Sequence, residues 1–305
     1  MTALDDLKGF DVDGAEVTLW TYKKQSPKGS APLFNGHWVD TTDDMDLELK
    51  SIVNQQISAI EEQLEYGLLA QNHESSVLHI TLEETYAPLV IEEFSAEQRR
   101  RKVKDVKTLL NCAFYIIKCV KDGSVLYCCK KTDPSWRTQV AKNFVAVVFN
   151  EKQLEVINQD SFNIHRSIDF FGIGQSILVK DKRNFESILN YKDAHEKDYD
   201  GLCQEIEFQQ IFSDLAEITN FVGSNKIQLR RMSAIRQKGF YRNEIFMDNL
   251  REKYQQYNLN LNFDGNGRLV PSPETCRDIV SALLDHRLGS GFSGNIYDVP
   301  DVIQV

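Results

Sequence analysis

Leu110-Asn-Cys-Ala-Phe-Tyr-Ile-Ile-Lys-Cys-Val120, Lys121-Asp-Gly123 and Ser124-Val-Leu-Tyr-Cys-Cys-Lys-Lys131 are consecutive, and their reading decides the fold class. Two runs rich in β-branched and aromatic residues flank Asp-Gly, a pair suited to the positive φ angles of a tight hairpin turn. Working outward, 15–22 alternates at a strand period, 76–82 and 86–91 read as strands, 145–149 continues the sheet, and 153–157 adds a short strand. Residues 23–36, holding Pro27, Gly29, Pro32 and Gly36, read as loop. Behind Thr41-Thr-Asp-Asp44, the apolar positions Met45, Leu49, Ile52, Val53, Ile57, Ile60 and Leu64 recur every three or four residues and predict a helix over 43–66. The first domain is therefore expected over 1–160, a mixed or antiparallel sheet backed by a long helix.

The second half is richer in helical patterns. Residues 167–179 read as a pair of short strands and Asn184-Phe-Glu-Ser-Ile-Leu189 as a short helix. Three helices follow over 205–222, 226–237 and 243–256, with Gly223 and Gly239 as stops. Leu259, Leu261 and Phe263 alternate into Asp264-Gly-Asn-Gly267, and Arg268-Leu-Val270 leaves it, a hairpin. Pro271 and Pro273 introduce a helix over 274–287, and 295–305 reads as a terminal strand. The expected fold class is α+β, with a helix-rich second domain over 161–305 that carries a β-hairpin.

The chain has 305 residues, 42% of them hydrophobic, and a formal net charge of −10. That is enough apolar content for a proper core, and it excludes disorder and a uniformly cationic surface. The start of the chain is acidic where a secretory signal is basic, and the longest apolar runs fall far short of the ~20 residues that span a bilayer. A cytoplasmic protein that meets a membrane only through a partner is expected. The six cysteines form no CxxC pair and read as reduced, buried thiols.

Catalytic motifs are sparse. His37, His73, His79, His165, His195 and His286 make no HExxH or HxH, and no metal or other cofactor is expected. Gly172-x-Gly174 lacks the third glycine of a dinucleotide fingerprint and suits a bend between strands. Asp264-x-Asn266-Gly267 lacks the downstream Glu of a calcium loop. A Mg²⁺-dependent nuclease of the restriction type needs an Asp or Glu two residues before a Lys; Asp6-Leu-Lys8 and Asp105-Val-Lys107 have that spacing, as does Glu48-Leu-Lys50 inside the helical pattern over 43–66. None follows an apolar strand bearing another acid, so the protein is expected to be no enzyme, with a nuclease as the alternative to test.

Charge is segmented along the chain. Residues 1–98 hold 5 basic and 19 acidic side chains, 99–150 hold 12 and 3, and 226–253 hold 8 and 3. In the first basic segment Arg99, Arg100, Arg101, Lys102, Lys104 and Lys107 crowd together, with Lys130 and Lys131 beyond the hairpin. Such density neutralises phosphates without reading sequence. In the second segment, Lys226, Arg230, Arg231 and Lys238 fall on one side of a helical wheel, opposite Leu229, Met232 and Ile235, and Arg242 extends the edge. Ile227 and Arg236 violate that division. Helices followed by a hairpin follow a winged-helix order only loosely, since the wing carries Arg268 alone. A solvated face and a phosphate-binding face both remain open for this helix, and a non-DNA adaptor contacting acidic protein or lipid headgroups is a third reading.

Asp169-Phe-Phe171, the step from Val179-Lys-Asp to Asn184-Phe-Glu, Gly267-Arg-Leu-Val270, and Leu283-Leu-Asp-His-Arg-Leu-Gly-Ser290 before Gly294-Asn-Ile-Tyr297 resemble the KwaB family, the soluble component of the bacterial Kiwa antiphage defence system. The resemblance covers roughly residues 160–305 and its motifs are structural. It implies a cytosolic DNA-binding protein, expected as a homodimer, that is recruited to the inner membrane by a KwaA-like membrane protein and acts on phage DNA. It transfers no DNA-binding positions, which rest on charge alone.

Overall fold

In a computed structural model that describes residues 2–26, 32–81, 90, 92, 101–133, 136–138, 147–150, 153–156 and 161–299, the Asp-Gly pair turns as its chemistry requires, with φ of 49° at Asp122 and 80° at Gly123. The chain forms two compact units, Met1–Tyr66 with Asn72–Asn190, and Gly67–Gln71 with Tyr191–Val305. The fold is α+β.

In the first unit the elements run α1 (Ala3–Lys8), β1 (Glu16–Gln25), β2 (Leu33–Val39), α2 (Asp43–Ser58), β3 (Glu62–Glu65), β4 (Ser76–Ile80), β5 (Arg101–Lys102), α3 (Val106–Leu109), β6 (Phe114–Lys121), β7 (Ser124–Lys131), β8 (Arg137–Thr138), β9 (Val147–Asn150), β10 (Gln153–Val156), β11 (Ser161–Phe162), β12 (Phe170–Ile173), β13 (Ser176–Val179) and α4 (Lys182–Ile188). Nine strands join in one mixed sheet, in the order β3-β4-β13-β12-β7-β6-β1-β2-β5. The β6–β7 hairpin lies at its centre, with Phe114 opposite Lys131 and Lys121 opposite Ser124.

One sheet face, formed by Leu19, Tyr115, Ile117, Cys128, Phe171 and Leu178, packs with Leu4 and Leu7 of α1 and Leu49, Ile52 and Val53 of α2. Burying one such side chain contributes about 1.5–3 kcal/mol. The other face carries Phe170, whose ring meets Phe185 of α4 edge-on at 5.0 Å. Because both faces are covered, the first six residues of β6 are all buried, and all are apolar or aromatic except Lys118, whose ammonium lies 4.6 Å from the Trp20 ring centroid.

Several local expectations change. The helix expected over 43–66 ends at Ser58, and Leu64 instead sits on β3, opposite Leu78 in a parallel pair. Its apolar spacing serves the helix and then a strand without a break in rhythm. Residues 33–36, read as loop, begin β2, where Trp38 stands opposite Trp20. Strands β9 and β10 form a separate two-stranded ribbon and do not continue the main sheet. The strand expected over 86–91 lies almost wholly outside the described residues. The strand pair 170–179, assigned from sequence to the second half, fills the main sheet between β7 and β4, and the two units divide at Asn190, not near 160.

The second unit runs α5 (Tyr191–Gln204), α6 (Ile206–Gln210), α7 (Ala216–Val222), α8 (Lys226–Lys238), α9 (Glu244–Lys253), α10 (Cys276–Leu283), β14 (Arg287–Gly289) and β15 (Ile296–Asp298). Gly223 (φ 46°) and Gly239 (φ 66°) end α7 and α8, backbone angles that glycine tolerates best. Tyr191–Gln204, to which the sequence assigned no element, is α5, which buries Tyr191, His195, Tyr199 and Leu202. Leu202 joins Phe208, Leu229, Met232, Ile235, Ile279 and Leu283 in the core of this unit.

Candidate nucleic-acid interface

Arg101 and Lys102 owe their position to the sheet's edge: β5 pairs parallel to β2 with Arg101 beside His37 and Lys102 beside Trp38. The backbone amide of Val103 extends the pairing by donating to the Trp38 carbonyl at 2.8 Å. The Lys102 ammonium pairs with Asp40 and lies 5.1 Å from the Trp38 ring centroid. Asp105 then caps the short helix α3 by accepting from the Lys107 amide at 2.8 Å, and Lys23 donates to the Lys107 carbonyl at 3.1 Å. Arg101, Lys102, Lys104 and Lys107 are all exposed. The structure thus brings four predicted cations to one end of the sheet; Arg99 and Arg100 lie outside the described residues.

Lys130 has a different environment. Its Nζ lies 2.7 Å from Asp169 Oδ1. The other Asp169 oxygen accepts from the Lys131 amide at 2.7 Å, and Asn184 Nδ2 donates to Oδ1 at 3.1 Å. Burial raises the Asp169 carboxyl above its ordinary value, and the Lys130 ammonium opposes that rise. Lys130 is therefore held by a carboxylate and does not face solvent as a free phosphate contact. Lys131 is half-buried and lines, with Thr132, Asp133 and Asn184, a cleft of about 460 Å³.

The second basic segment is likewise drawn into its own unit. Asn225 caps α8 by accepting from the Ile227 amide at 2.9 Å, and Leu229, Met232 and Ile235 are buried as the wheel predicted. Arg236, which violated the wheel, donates through Nε to Glu205 Oε1 at 2.9 Å. Arg242 and the Tyr241 hydroxyl reach Glu205 Oε2 at 2.6 Å and 2.5 Å. Burial tends to raise the Glu205 carboxyl, but bonds from Tyr241, Arg242 and Arg236 overcome it and hold the group down at about 2. Lys238 donates to the Leu284 carbonyl at 3.1 Å. Arg230 and Arg231 are half-buried, and Lys226 is exposed at the helix start.

The supposed wing does not project. Leu259, Leu261 and Leu269 are buried, Leu269 bridges both Phe263 and Phe212, and Arg268 is tied to Asp264 at 2.8 Å. The Asp169 and Glu205 hubs escaped the sequence reading because each gathers donors remote in sequence. The only local trace was Arg236, a cation out of phase on an amphipathic helix.

Among the described residues, no group of three His, Cys, Asp or Glu is placed to hold a metal ion, and no helix is long and apolar enough to cross a membrane. Comparison with known families matches residues 109–292 to Kiwa protein KwaB-like sequences. The match begins two residues after Lys107 and ends within the β14–β15 turn. No curated protein and no solved structure matches the chain.

Proposed function

This chain belongs to the KwaB-like family of Kiwa proteins, which sets it in antiphage defence, and from that premise we propose that it is a non-enzymatic effector that binds duplex DNA through phosphate contacts. The reading rests on one observation: Arg101, Lys102, Lys104 and Lys107 stand exposed together at the end of the sheet on an otherwise acidic chain. Cations grouped in this way release counterions from a polyanion and raise its local concentration, whatever the net charge. In the same reading the protein is a homodimer and a KwaA-like membrane protein recruits it to the inner membrane, where its hold on the duplex blocks replication or expression of phage DNA.

The test is a fluorescence-anisotropy titration of duplex DNA at several salt concentrations, repeated with Arg101→Glu, Lys104→Glu and Lys107→Glu combined. Binding that weakens steeply with salt and is much weaker at low salt in the variant supports the proposal. No binding at low salt, or equal binding by the variant, removes it. Supercoiled DNA incubated with the protein and Mg²⁺ should stay intact; cleavage would assign a nuclease instead.

A further inference from the structure

The second unit contains a cavity of about 460 Å³ bordered by α9, the turn at 254–257 and β14. Its volume lies within the ~300–1,000 Å³ usual for small-molecule sites. Phe246, Tyr254 and Tyr257 supply aromatic surface, and Lys253 and Arg287 supply positive charge.

Arg287 is the informative residue. Its side chain is 21% exposed, and among the described residues its ionic contact is Nη2 to Asp278 Oδ1 at 3.4 Å. Its Nε is buried and has no hydrogen-bond partner among the described residues. A guanidinium offers five N–H donors in a rigid fork, and leaving them unmatched in a buried setting is unfavourable. Asp278 is shared, since its other oxygen accepts from the Asn260 amide at 2.8 Å. The backbone of Arg287 is fixed by pairing with Asp298. The sealed Nε is out of an anion's reach, so an incoming anion would meet the exposed part of this anchored guanidinium, which offers further N–H donors to two or more oxygens.

The aromatic wall is also anchored. Phe246 stacks on Phe240 at 5.0 Å, and Tyr254 meets Phe263 edge-on at 5.5 Å. Rings braced by neighbours need little ordering when a planar ligand binds. Lys253 is oriented by a 2.5 Å bond to Asn249 Oδ1, and the lining also holds the Asn249 amide and one carboxylate, Asp285.

We propose that this cavity binds a nucleoside monophosphate, with the phosphate on Arg287 and Lys253 and the base against Tyr254 and Tyr257. Lys253 and Arg287 outnumber the one carboxylate of the lining, Asp285, so the charge balance favours an anion, and the rings suit any base. The site lies in the second unit and does not depend on the DNA reading of the first.

Isothermal titration of the full chain with AMP, adenosine, ribose 5-phosphate and 5′-phosphorylated diadenylate tests the assignment. AMP should bind more tightly than adenosine or ribose 5-phosphate. Arg287→Lys, which keeps a charge for Asp278, should weaken AMP by about tenfold, the scale of one charge-assisted hydrogen bond, and leave adenosine unchanged. Tyr257→Leu should weaken both, and it keeps the proposal testable should Arg287→Lys fail to fold. Preference for AMP over the dinucleotide assigns a free nucleotide, and the reverse assigns a strand end. No AMP binding at millimolar concentration, or AMP affinity unchanged by either variant, overturns the proposal.

Discussion

Lys130 Nζ stands 2.7 Å from Asp169 Oδ1, with side-chain exposures of 12% and 1%. The pair fastens the central hairpin to the start of β12, and Asn184 ties the same carboxylate to α4. One cation of the basic segment is therefore a structural element of the sheet.

Removing the carboxylate should be costly. Asp169→Ala leaves the Lys130 ammonium and the Lys131 amide without their acceptor, and breaking a buried pair on one side typically costs about 3–5 kcal/mol. Urea unfolding should show a loss of that size, and Lys130→Met combined with Asp169→Leu should recover much of it. A loss under ~1 kcal/mol for Asp169→Ala would show that the pair is solvated.

Glu205 predicts an acid dependence. Its folded-state pKa, about 2, lies below the ordinary 4.5, so its contribution to stability is present above pH 4.5 and is lost as pH falls toward 2. Glu205→Gln should destabilise the second unit at pH 7, and the gap from wild type should narrow across that window. A gap independent of pH would contradict the assignment of Glu205 as the anionic hub for Arg236 and Arg242.

His286 acts in a higher window. Burial, with help from Lys238 and Arg231, lowers it from 6.5 to about 4. The unfolded chain then takes up a proton on acidification before the folded chain does, so stability falls from pH 6.5 down to about 4. The loss at pH 4 should be on the order of 3 kcal/mol, and His286→Phe should remove the slope. NMR titration of the ring checks the pKa directly.

Gly123 isolates backbone strain. Its φ is 80°, and a Cβ placed there meets nothing within 4 Å. Gly123→Ala should therefore cost about 1 kcal/mol through the left-handed backbone alone, lowering Tm by roughly 2–4 °C. Gly123→Asn should cost less. A much larger loss would mean that the turn has packing partners.

The two basic segments should separate by experiment. Reversing Arg101, Lys104 and Lys107 should leave Tm nearly unchanged and flatten the salt dependence of DNA binding by about 2–3 in slope. Arg242→Glu, which sets a second acid against Glu205, should lower Tm and leave the DNA salt slope alone. Equal effects of both changes on DNA binding would return the second segment to the interface.

The hairpin at 121–124, the end of α8 at Gly239, and the apolar face of α8 were legible because each follows from neighbours within a few residues: a turn pair, a glycine stop, a 3.6-residue period. The end of α2 was not, since Leu64 keeps the helical rhythm while its backbone pairs with β4. Helix α5 was passed over although Tyr191, His195, Tyr199 and Leu202 repeat at helical spacing, because its acidic surface masks them.

By itself the sequence determined the α+β class, the local turns and caps, and which segments carry surplus positive charge. It could not say where that charge goes. Only the tertiary structure decided that Lys130 belongs to Asp169, that Arg236 and Arg242 belong to Glu205, and that Arg101, Lys104 and Lys107 are left facing solvent. The reason is physical: whether a cation is available depends on the nearest carboxylate in space, and for Lys130 that carboxylate is 39 residues away along the chain.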